Sequence, residues 1–179
     1  MGRPGTHPPV LLILAAFSRH GEAIDWGRRR AEQAFGPVAI ESDPFAFDET
    51  DYYEATMGPG LVKRFFAFER LVDPAGLPEI KLLTNAWEDE LAVQGSYAEA
   101  RPLNLDPGYL TLAKLVLAST KDFAHRVYLR DGIYAEVTLH YRRGRWEPHA
   151  YTFPDYRGPA YHEFFDRCRA WLKQSSAPR

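Results

Sequence analysis

Two glycine-containing turns in the C-terminal third of the chain constrain its fold most. Asp131-Gly132 and Arg143-Gly144 each separate two stretches that are rich in β-branched and aromatic residues. A short polar pair ending in glycine between two such stretches is typical of a β-hairpin, because glycine adopts the left-handed backbone conformation that tight hairpin loops require. The two turns therefore predict a meander of three antiparallel strands near the C-terminus.

The pattern of apolar residues selects a register for the first hairpin. A three-residue loop at 130–132 pairs Leu129 with Ile133 and Val127 with Ala135, which places every apolar residue on one face. A two-residue loop would mix apolar and polar residues on both faces. We therefore predict the three-residue loop, with its glycine in the left-handed conformation.

These registers also collect polar side chains on the opposite face of the meander. Arg126 is expected opposite Glu136, and His140 opposite Glu147. An Arg–Glu pair can anchor a polar ligand and a His–Glu pair can perform acid–base chemistry, whereas the plainer interpretation is a solvated face with ion pairs worth roughly 0–1 kcal/mol each. The predicted polar face comprises Arg126, Tyr128, Tyr134, Glu136, Thr138, His140 and Glu147.

Residues 109–121 are predicted to form a helix that Asp106 caps. Its apolar side chains cover almost the whole circumference, which indicates burial on most sides. Lys114 is the lone charge inside it, and Lys121 lies seven residues on, nearly on the same side. A buried lysine implies an anionic partner such as phosphate or carboxylate; alternatively, Lys114 extends along its apolar stem to solvent.

The remaining pattern predicts strands and helices that alternate. Their order over residues 10–105, β-α-β-β-α-β, resembles a ferredoxin-like unit. With the meander, this order predicts an α+β fold: a mixed or antiparallel sheet with helices mainly on one face, a ferredoxin-like core, and a C-terminal β-meander and helix. The predicted strands are 10–17, 37–41, 63–72 and 100–105, and the predicted helices besides 109–121 are 22–35, 73–93 and 159–172.

The composition favours one domain of ordinary size. The chain has 179 residues, of which 45% are hydrophobic, enough to bury a core. We predict a single domain over 9–174, with flexible tails at 1–8 and 175–179. Lys and Arg number 22 against 24 Asp and Glu, so there is no bulk electrostatic attraction to nucleic acid or to an anionic membrane.

Cysteine usage and apolar run lengths bear on the compartment. Cys168 is the single cysteine, and its helical spacing with Phe164, Phe165 and Trp171 predicts a buried core thiol. The apolar run at 10–17 is too short for a membrane span and lacks the features of a signal peptide. We therefore predict a cytoplasmic protein that does not engage a membrane.

The segment 41–54 departs most strongly from the balanced charge of the chain, because it is acidic throughout. It carries six acids and no base, and four aromatic residues are interleaved with them. Asp48 and Asp51 are the best candidates to supply carboxylates to Mg²⁺, although such a segment is usually a solvated loop with aromatic anchors. His125 follows Asp122 by three residues, but no third convergent ligand can be named, so the residues define no metal site.

Short motifs spread over residues 10–172 carry a family resemblance. They are Phe47-Asp48, Asp51-Tyr52-Tyr53, Phe68-Glu69, Lys81 with Thr84-Asn85, the run 104–110, Lys121-Asp122, His125-Arg126, the run 132–136 and the run 154–157. Together they resemble a bacterial family known as domain of unknown function 4416, which implies a family without an assigned reaction. Some of its members are labelled GTP-binding proteins. This chain, however, has no G-x-x-x-x-G-K-[ST] phosphate loop, because Gly58–Lys63 precedes a predicted strand instead of following one.

Three classes of function remain open at this level. The first is a binder of, or an enzyme acting on, a small anionic and perhaps nucleotide-like ligand. The second is an RNA- or ribosome-associated module, because ferredoxin-like sheets can stack bases on exposed aromatic residues and the strand 63–72 has phenylalanines on both faces. The third is a protein-interaction module without chemistry. The candidate ligand-binding residues are Asp48, Asp51, Asp106, Lys114, Lys121, His125, Arg126 and Glu136.

A shared site makes a geometric prediction. Lys114 or Lys121 should meet the turn at 122–126 and the polar face of the meander, near a carboxylate of Asp48, Asp51 or Asp106. Charged groups that are distant in sequence are costly to desolvate together, and a ligand is the usual reason for gathering them in one concave place.

Overall fold

The computed structural model describes residues 2–3, 5–47 and 53–175, which form an α+β architecture. Four helices and nine strands lie in this part of the chain, with short 3-10 helices at Pro74–Gly76 and Pro154–Arg157. The helices are Gly21–Phe35 (α1), Glu54–Met57 (α2), Leu77–Val93 (α3) and Pro159–Ser175 (α4). The strands are Leu11–Ser18 (β1), Val38–Glu41 (β2), Phe45–Ala46 (β3), Val62–Phe68 (β4), Asn104–Leu110 (β5), Lys114–Ser119 (β6), Val127–Arg130 (β7), Ile133–Arg142 (β8) and Arg145–Pro148 (β9).

The described strands form one antiparallel sheet. Seven of them follow the order β2-β4-β1-β5-β6-β8-β7, while β3 pairs with β4 and β9 pairs with β8. The central strand β1 is buried along its whole length, which explains why its sequence is a continuous apolar run. The sequence left a mixed sheet open, and the antiparallel alternative is the one observed.

Helices cover both faces of the sheet around β1. Leu12 and Leu14 pack with α1 and α3, whereas Leu11 and Ile13 pack with α4. The amphipathic helix predicted at 159–172 is confirmed as α4, but it covers the face opposite to α1 and α3. The expectation that helices lie mainly on one face therefore needs this correction.

The helix predicted at 109–121 is wrong. The segment instead contains the end of β5, a turn and the whole of β6, and the predicted strand at 100–105 begins only at Asn104. Thr111 makes the turn, because its hydroxyl accepts hydrogen bonds from the backbone N–H groups of Ala113 and Lys114, both at 3.1 Å. An apolar run without periodicity fits a strand that is buried on both faces as well as a buried helix.

The first hairpin has the shorter loop. Val127 pairs with Ala135 as predicted, but Arg130 pairs with Ile133 across a two-residue turn, and the register shifts between Tyr128 and Arg130. That irregularity restores the apolar face that a regular two-residue hairpin would have lost. The left-handed glycine in this turn is confirmed by its φ of 77°. In the second hairpin, the predicted pairs of Tyr141 with Trp146 and of His140 with Glu147 are both confirmed.

None of the helices in the described part of the chain has the length and apolar content that a membrane crossing requires.

Cys168 should be unreactive in the folded protein. Its side chain is fully buried under α4, and this burial raises the pKa of the thiol, so the reactive thiolate is disfavoured. We expect no reaction with Ellman's reagent at pH 8 over the time in which the denatured protein reacts completely. Rapid reaction of the native protein would instead mean that α4 opens readily.

Candidate functional site

A cavity of about 740 Å³ lies at one end of the sheet. Its walls come from the ends of β1 and β6, the beginnings of β4 and β5, the first half of β8, one side of α3 and the 3-10 helix Pro154–Arg157. Neighbouring strands are antiparallel, so these termini meet at the same edge of the sheet. The sequence therefore brings together segments that are far apart along the chain.

The register of the sheet sets the floor of the cavity. Phe17, near the end of β1, pairs with Lys63 on β4 and with Asn104 on β5. Directly paired residues of antiparallel strands point to the same face. One aromatic ring is thus flanked by a lysine and an amide at the centre of the floor.

One side of α3 forms a polar wall. Lys81, Asn85, Glu88 and Asp89 line the cavity. They are spaced at i, i+4, i+7 and i+8, the spacing that places residues on one face of a helix. Lys81 and Glu88 are nearly fully buried although both are ionisable. The sequence prediction of a helix at 73–93 did not include this polar stripe, although helical periodicity alone displays it.

Lys81 and Asp106 form a hydrogen-bonded pair between α3 and β5. The lysine Nζ donates to Asp106 Oδ1 at 2.9 Å and to the Leu105 carbonyl at 2.8 Å, and Asn104 Nδ2 donates to Asp106 Oδ2 at 2.8 Å. Burial raises the pKa of Asp106, but the charges of Lys81 and Lys63 and these hydrogen bonds outweigh it and hold the pKa below its usual value. Asp106 is therefore ionised and fixed in position.

Glu88 has the opposite electrostatic balance. Its Oε1 accepts the backbone N–H of Leu105 at 2.7 Å, and its Oε2 accepts a hydrogen bond from Arg101 at 2.7 Å. Desolvation nevertheless keeps the pKa of Glu88 above its usual value, against the lowering effects of Lys81 and Arg101. Two nearby carboxyls with pKa values shifted in opposite directions can serve as proton donor and proton acceptor.

Lys63 lies in the most apolar part of the cavity. Its Nζ donates to Asp155 Oδ2 at 2.5 Å and lies 3.8 Å from the centre of the Phe47 ring. The side chains of Lys63 and Asp155 are only 5% and 8% exposed. Desolvation lowers the pKa of Lys63, although the charge and hydrogen bond of Asp155 oppose the shift.

Arg126 and Glu136 form a fourth ion pair, and both of its members are buried. Arg126 Nε donates to Glu136 Oε2 at 2.8 Å, and Arg126 Nη1 donates to the hydroxyl of Ser119 at 2.7 Å and to the carbonyl of Lys121 at 3.0 Å. The side chains of Arg126 and Glu136 are 5% and 2% exposed. This contact was predicted from the hairpin pattern, but its burial was not.

A stack of rings stands next to this pair. His125 lies parallel to Phe123 on one side and Tyr151 on the other, with ring centres 5.9 and 4.3 Å apart, and its Nε2 is 3.2 Å from Glu136 Oε2. Phe123 also lines the cavity. The stack fixes the loop that carries Arg126 against the sheet.

The four ion pairs of the cavity leave hydrogen-bond donors in excess. Each oxygen of the four carboxylates accepts at least one hydrogen bond from the protein. Within the described residues, by contrast, Lys63 uses one of its three N–H donors and Lys81 two, while Arg101 Nη1 and Arg126 Nη2 donate to nothing. The charges are balanced, yet the unused hydrogen-bonding capacity of the cations favours an acceptor.

The structure brings together four of the candidate ligand-binding residues. Asp106, Lys121, Arg126 and Glu136 all line the cavity. His125 is not among the cavity-lining residues, but its Nε2 lies 3.2 Å from Glu136 Oε2. The two remaining carboxylates, of Asp48 and Asp51, lie outside the described residues.

Lys114 is placed away from this group. It begins β6 and pairs with His140, whereas the cavity is lined from Leu117 onward at the other end of the strand. Its position in the predicted helix suggested otherwise, because seven helical residues would have brought it onto the side of Lys121. In a strand, the two residues lie at opposite ends.

No metal site is visible in the part of the chain that the structure describes. No group of three or more His, Cys, Asp or Glu side chains there has an arrangement that could hold a metal ion. The suggestion of Mg²⁺ rested on Asp48 and Asp51, so it stays a prediction from the sequence.

Comparison with known proteins places the chain in a family. A family model described as Domain of unknown function (DUF4416) matches residues 8–171. The chain belongs to this family, as its motifs indicated. No curated protein and no solved structure matches the chain significantly.

Proposed function

We propose that this member of the DUF4416 family binds a small anionic ligand in the cavity at the end of the sheet. The observation that carries the proposal is the excess of hydrogen-bond donors on four cavity cations whose partner carboxylates accept hydrogen bonds at both oxygens. Lys63, Lys81 and Arg126 are buried, and Arg101 is partly exposed. Their ion pairs already orient all four cations and burial desolvates three of them, so an anion can bind with little further ordering. The volume of about 740 Å³ is in the range of small-molecule sites.

The aromatic lining favours a ligand with a flat ring as well as an anionic group. Phe47, Tyr53, Phe123 and Phe153 line the cavity together with the polar groups. Aromatic side chains can stack on a base, and the cations can bind a phosphate. A nucleotide-like ligand combines both parts. It would be held by side chains of the sheet and α3, not by a glycine-rich phosphate loop.

Calorimetric titration of the protein with GTP, guanosine and inorganic pyrophosphate tests this proposal. We expect GTP and pyrophosphate to bind, with affinities that fall as salt is added, and guanosine alone to bind more weakly. Binding of pyrophosphate without any gain from the guanosine part would leave an anion site that is not specific for nucleotides. Absence of binding by both phosphate compounds would contradict the proposal.

A matched pair of variants locates the site. Arg101→Gln removes a charged donor from the cavity, and we expect it to weaken phosphate binding roughly 10- to 100-fold, the worth of one hydrogen bond to a charged group. Arg145→Gln removes a positive charge from the exposed turn of the second hairpin. It should leave binding unchanged, with circular dichroism confirming that both variants are folded.

The RNA-binding alternative required exposed phenylalanines on the strand predicted at 63–72. Phe65, Phe66 and Phe68 of β4 are all fully buried, so they cannot stack on bases. A protein-interaction role is the second candidate, because the edge strand β7 exposes Val127 and Tyr128. Sedimentation of the purified protein with and without Val127→Lys would reveal self-association through that edge.

We also infer that β2, β4, β1 and β5 with α1 and α3 constitute a ferredoxin-like unit. The support is the strand order, the antiparallel pairing and the position of both helices on one face. The cytoplasm is the compartment that we propose for the protein, on the grounds of its single buried cysteine.

A further inference from the structure

Lys63 differs from a structural lysine in its surroundings. A buried ammonium normally satisfies its three donors with oxygen acceptors. Among the described residues, Lys63 donates to one carboxylate, that of Asp155, and aromatic rings lie around it, with Phe17, Phe47 and Tyr156 centred 5.1, 3.8 and 5.3 Å from its Nζ. Rings attract a cation more weakly than oxygen acceptors do. The amine is therefore held in place without being fully stabilised as a cation.

Lys81 provides the comparison within the same cavity. Its Nζ donates to a backbone carbonyl and to a carboxylate, the arrangement of a lysine that holds two elements together. Both lysines are 4% exposed, so the difference lies in their partners and not in their burial. Of the two, Lys63 is the one whose surroundings favour the neutral amine.

We propose that Lys63 is a nucleophile that forms an imine with an aldehyde or ketone group of an anionic ligand bound in the cavity, with Asp155 as its proton acceptor and donor. This inference rests on the proposed function, because the other cations of the cavity would position the anionic part of that ligand. The lowered pKa of Lys63 is consistent with it.

The step balances without an oxidant or a reductant. The ammonium of Lys63 passes a proton to Asp155 Oδ2, and the neutral nitrogen forms a bond to the carbonyl carbon as the carbonyl π electrons move to oxygen. That oxygen takes a proton from the nitrogen to become a hydroxyl. Asp155 then returns its proton, the C–O bond breaks, water leaves and a protonated C=N bond remains. The contact between Lys63 and Asp155 allows both transfers without rearrangement of the cavity.

Reductive trapping tests the proposal directly on the unmodified protein. The protein is incubated at pH 7 with glyoxylate, a small anionic aldehyde, and sodium cyanoborohydride, and the modified lysines are mapped by peptide mass spectrometry. We expect the label on Lys63 to exceed that on each of the other four lysines at least about tenfold at early times. Labelling confined to the other lysines or to the N-terminus would overturn the proposal.

Two lysine variants sharpen the assignment. Lys63→Arg keeps a cation beside Asp155 but cannot form an imine, because arginine stays protonated. We expect this variant to lose the early label. Lys173→Arg, at the exposed end of α4 and outside the cavity, should keep it, and a loss in Lys173→Arg equal to that in Lys63→Arg would contradict a specific role for Lys63.

Competition by inorganic pyrophosphate separates this inference from the proposed function. Trapping at Lys63 that pyrophosphate slows supports both. Trapping that pyrophosphate does not affect supports the nucleophile and contradicts the anion site. Binding of pyrophosphate by calorimetry without trapping at Lys63 overturns the nucleophile and leaves the proposed function standing.

Discussion

Replacing Gly108 with alanine should destabilise the protein by about 3 kcal/mol, equivalent to roughly 6–12 °C in Tm. Gly108 lies on β5 opposite Leu117 of β6, at the centre of the sheet. A Cβ built at this position would overlap the carbonyl oxygen of Val116 and approach the Leu117 side chain to 2.6 Å. The backbone carbonyl cannot move without disturbing the β5–β6 ladder, so the cost falls on the whole sheet.

Gly21→Ala is the matched control for this prediction. Gly21 begins α1, and an added Cβ there would have no heavy atom within 4 Å. Alanine also favours a helix over glycine, so we expect no loss of stability. Urea denaturation of the two variants makes the comparison. Equal stability would mean that β5 and β6 do not pack as closely as described.

The sequence predicted a helix where the end of β5 and the whole of β6 lie, and this error has a physical cause. Residues 115–118 of β6 are apolar because the strand is buried on both faces there, and an apolar run of that kind has no period. The intervening turn carries neither glycine nor proline; Thr111 makes it with its hydroxyl. The β-hairpins at 127–148 were predictable because their alternation and glycine turns are local signals.

The same distinction between local and distant signals applies to the cavity. The contact of Arg126 with Glu136 follows from the register of one hairpin, and the polar stripe of α3 follows from helical spacing. The contact of Lys63 with Asp155 joins residues that are 92 positions apart, between a strand and a 3-10 helix. The residue pattern of neither segment predicts that contact, because the contact depends on how the C-terminal part of the chain packs against the sheet.

Removing the charge of Arg126 should cost about 3–5 kcal/mol of stability, because it leaves Glu136 buried without its cation. Glu136 is 3% exposed and lies on β8 next to the central part of the sheet. In the Arg126→Leu variant, the hydroxyl of Thr138 is the one close hydrogen-bond donor that its carboxylate keeps among the described residues, with His125 beside it. Neither supplies the permanent charge that an arginine does.

Arg145→Leu is the control for this prediction, since Arg145 pairs with a glutamate, Glu147, on the same meander but is 72% exposed. We expect no measurable loss there, because water screens exposed pairs. The double variant Arg126→Leu/Glu136→Leu should recover much of the stability lost in Arg126→Leu, because it removes the unpaired charge along with the cation. Urea denaturation of these three variants and of the unmodified protein makes the comparison. If Arg126→Leu cost no more than Arg145→Leu, the pair would be solvated, and the cavity would not hold desolvated cations ready for an anion.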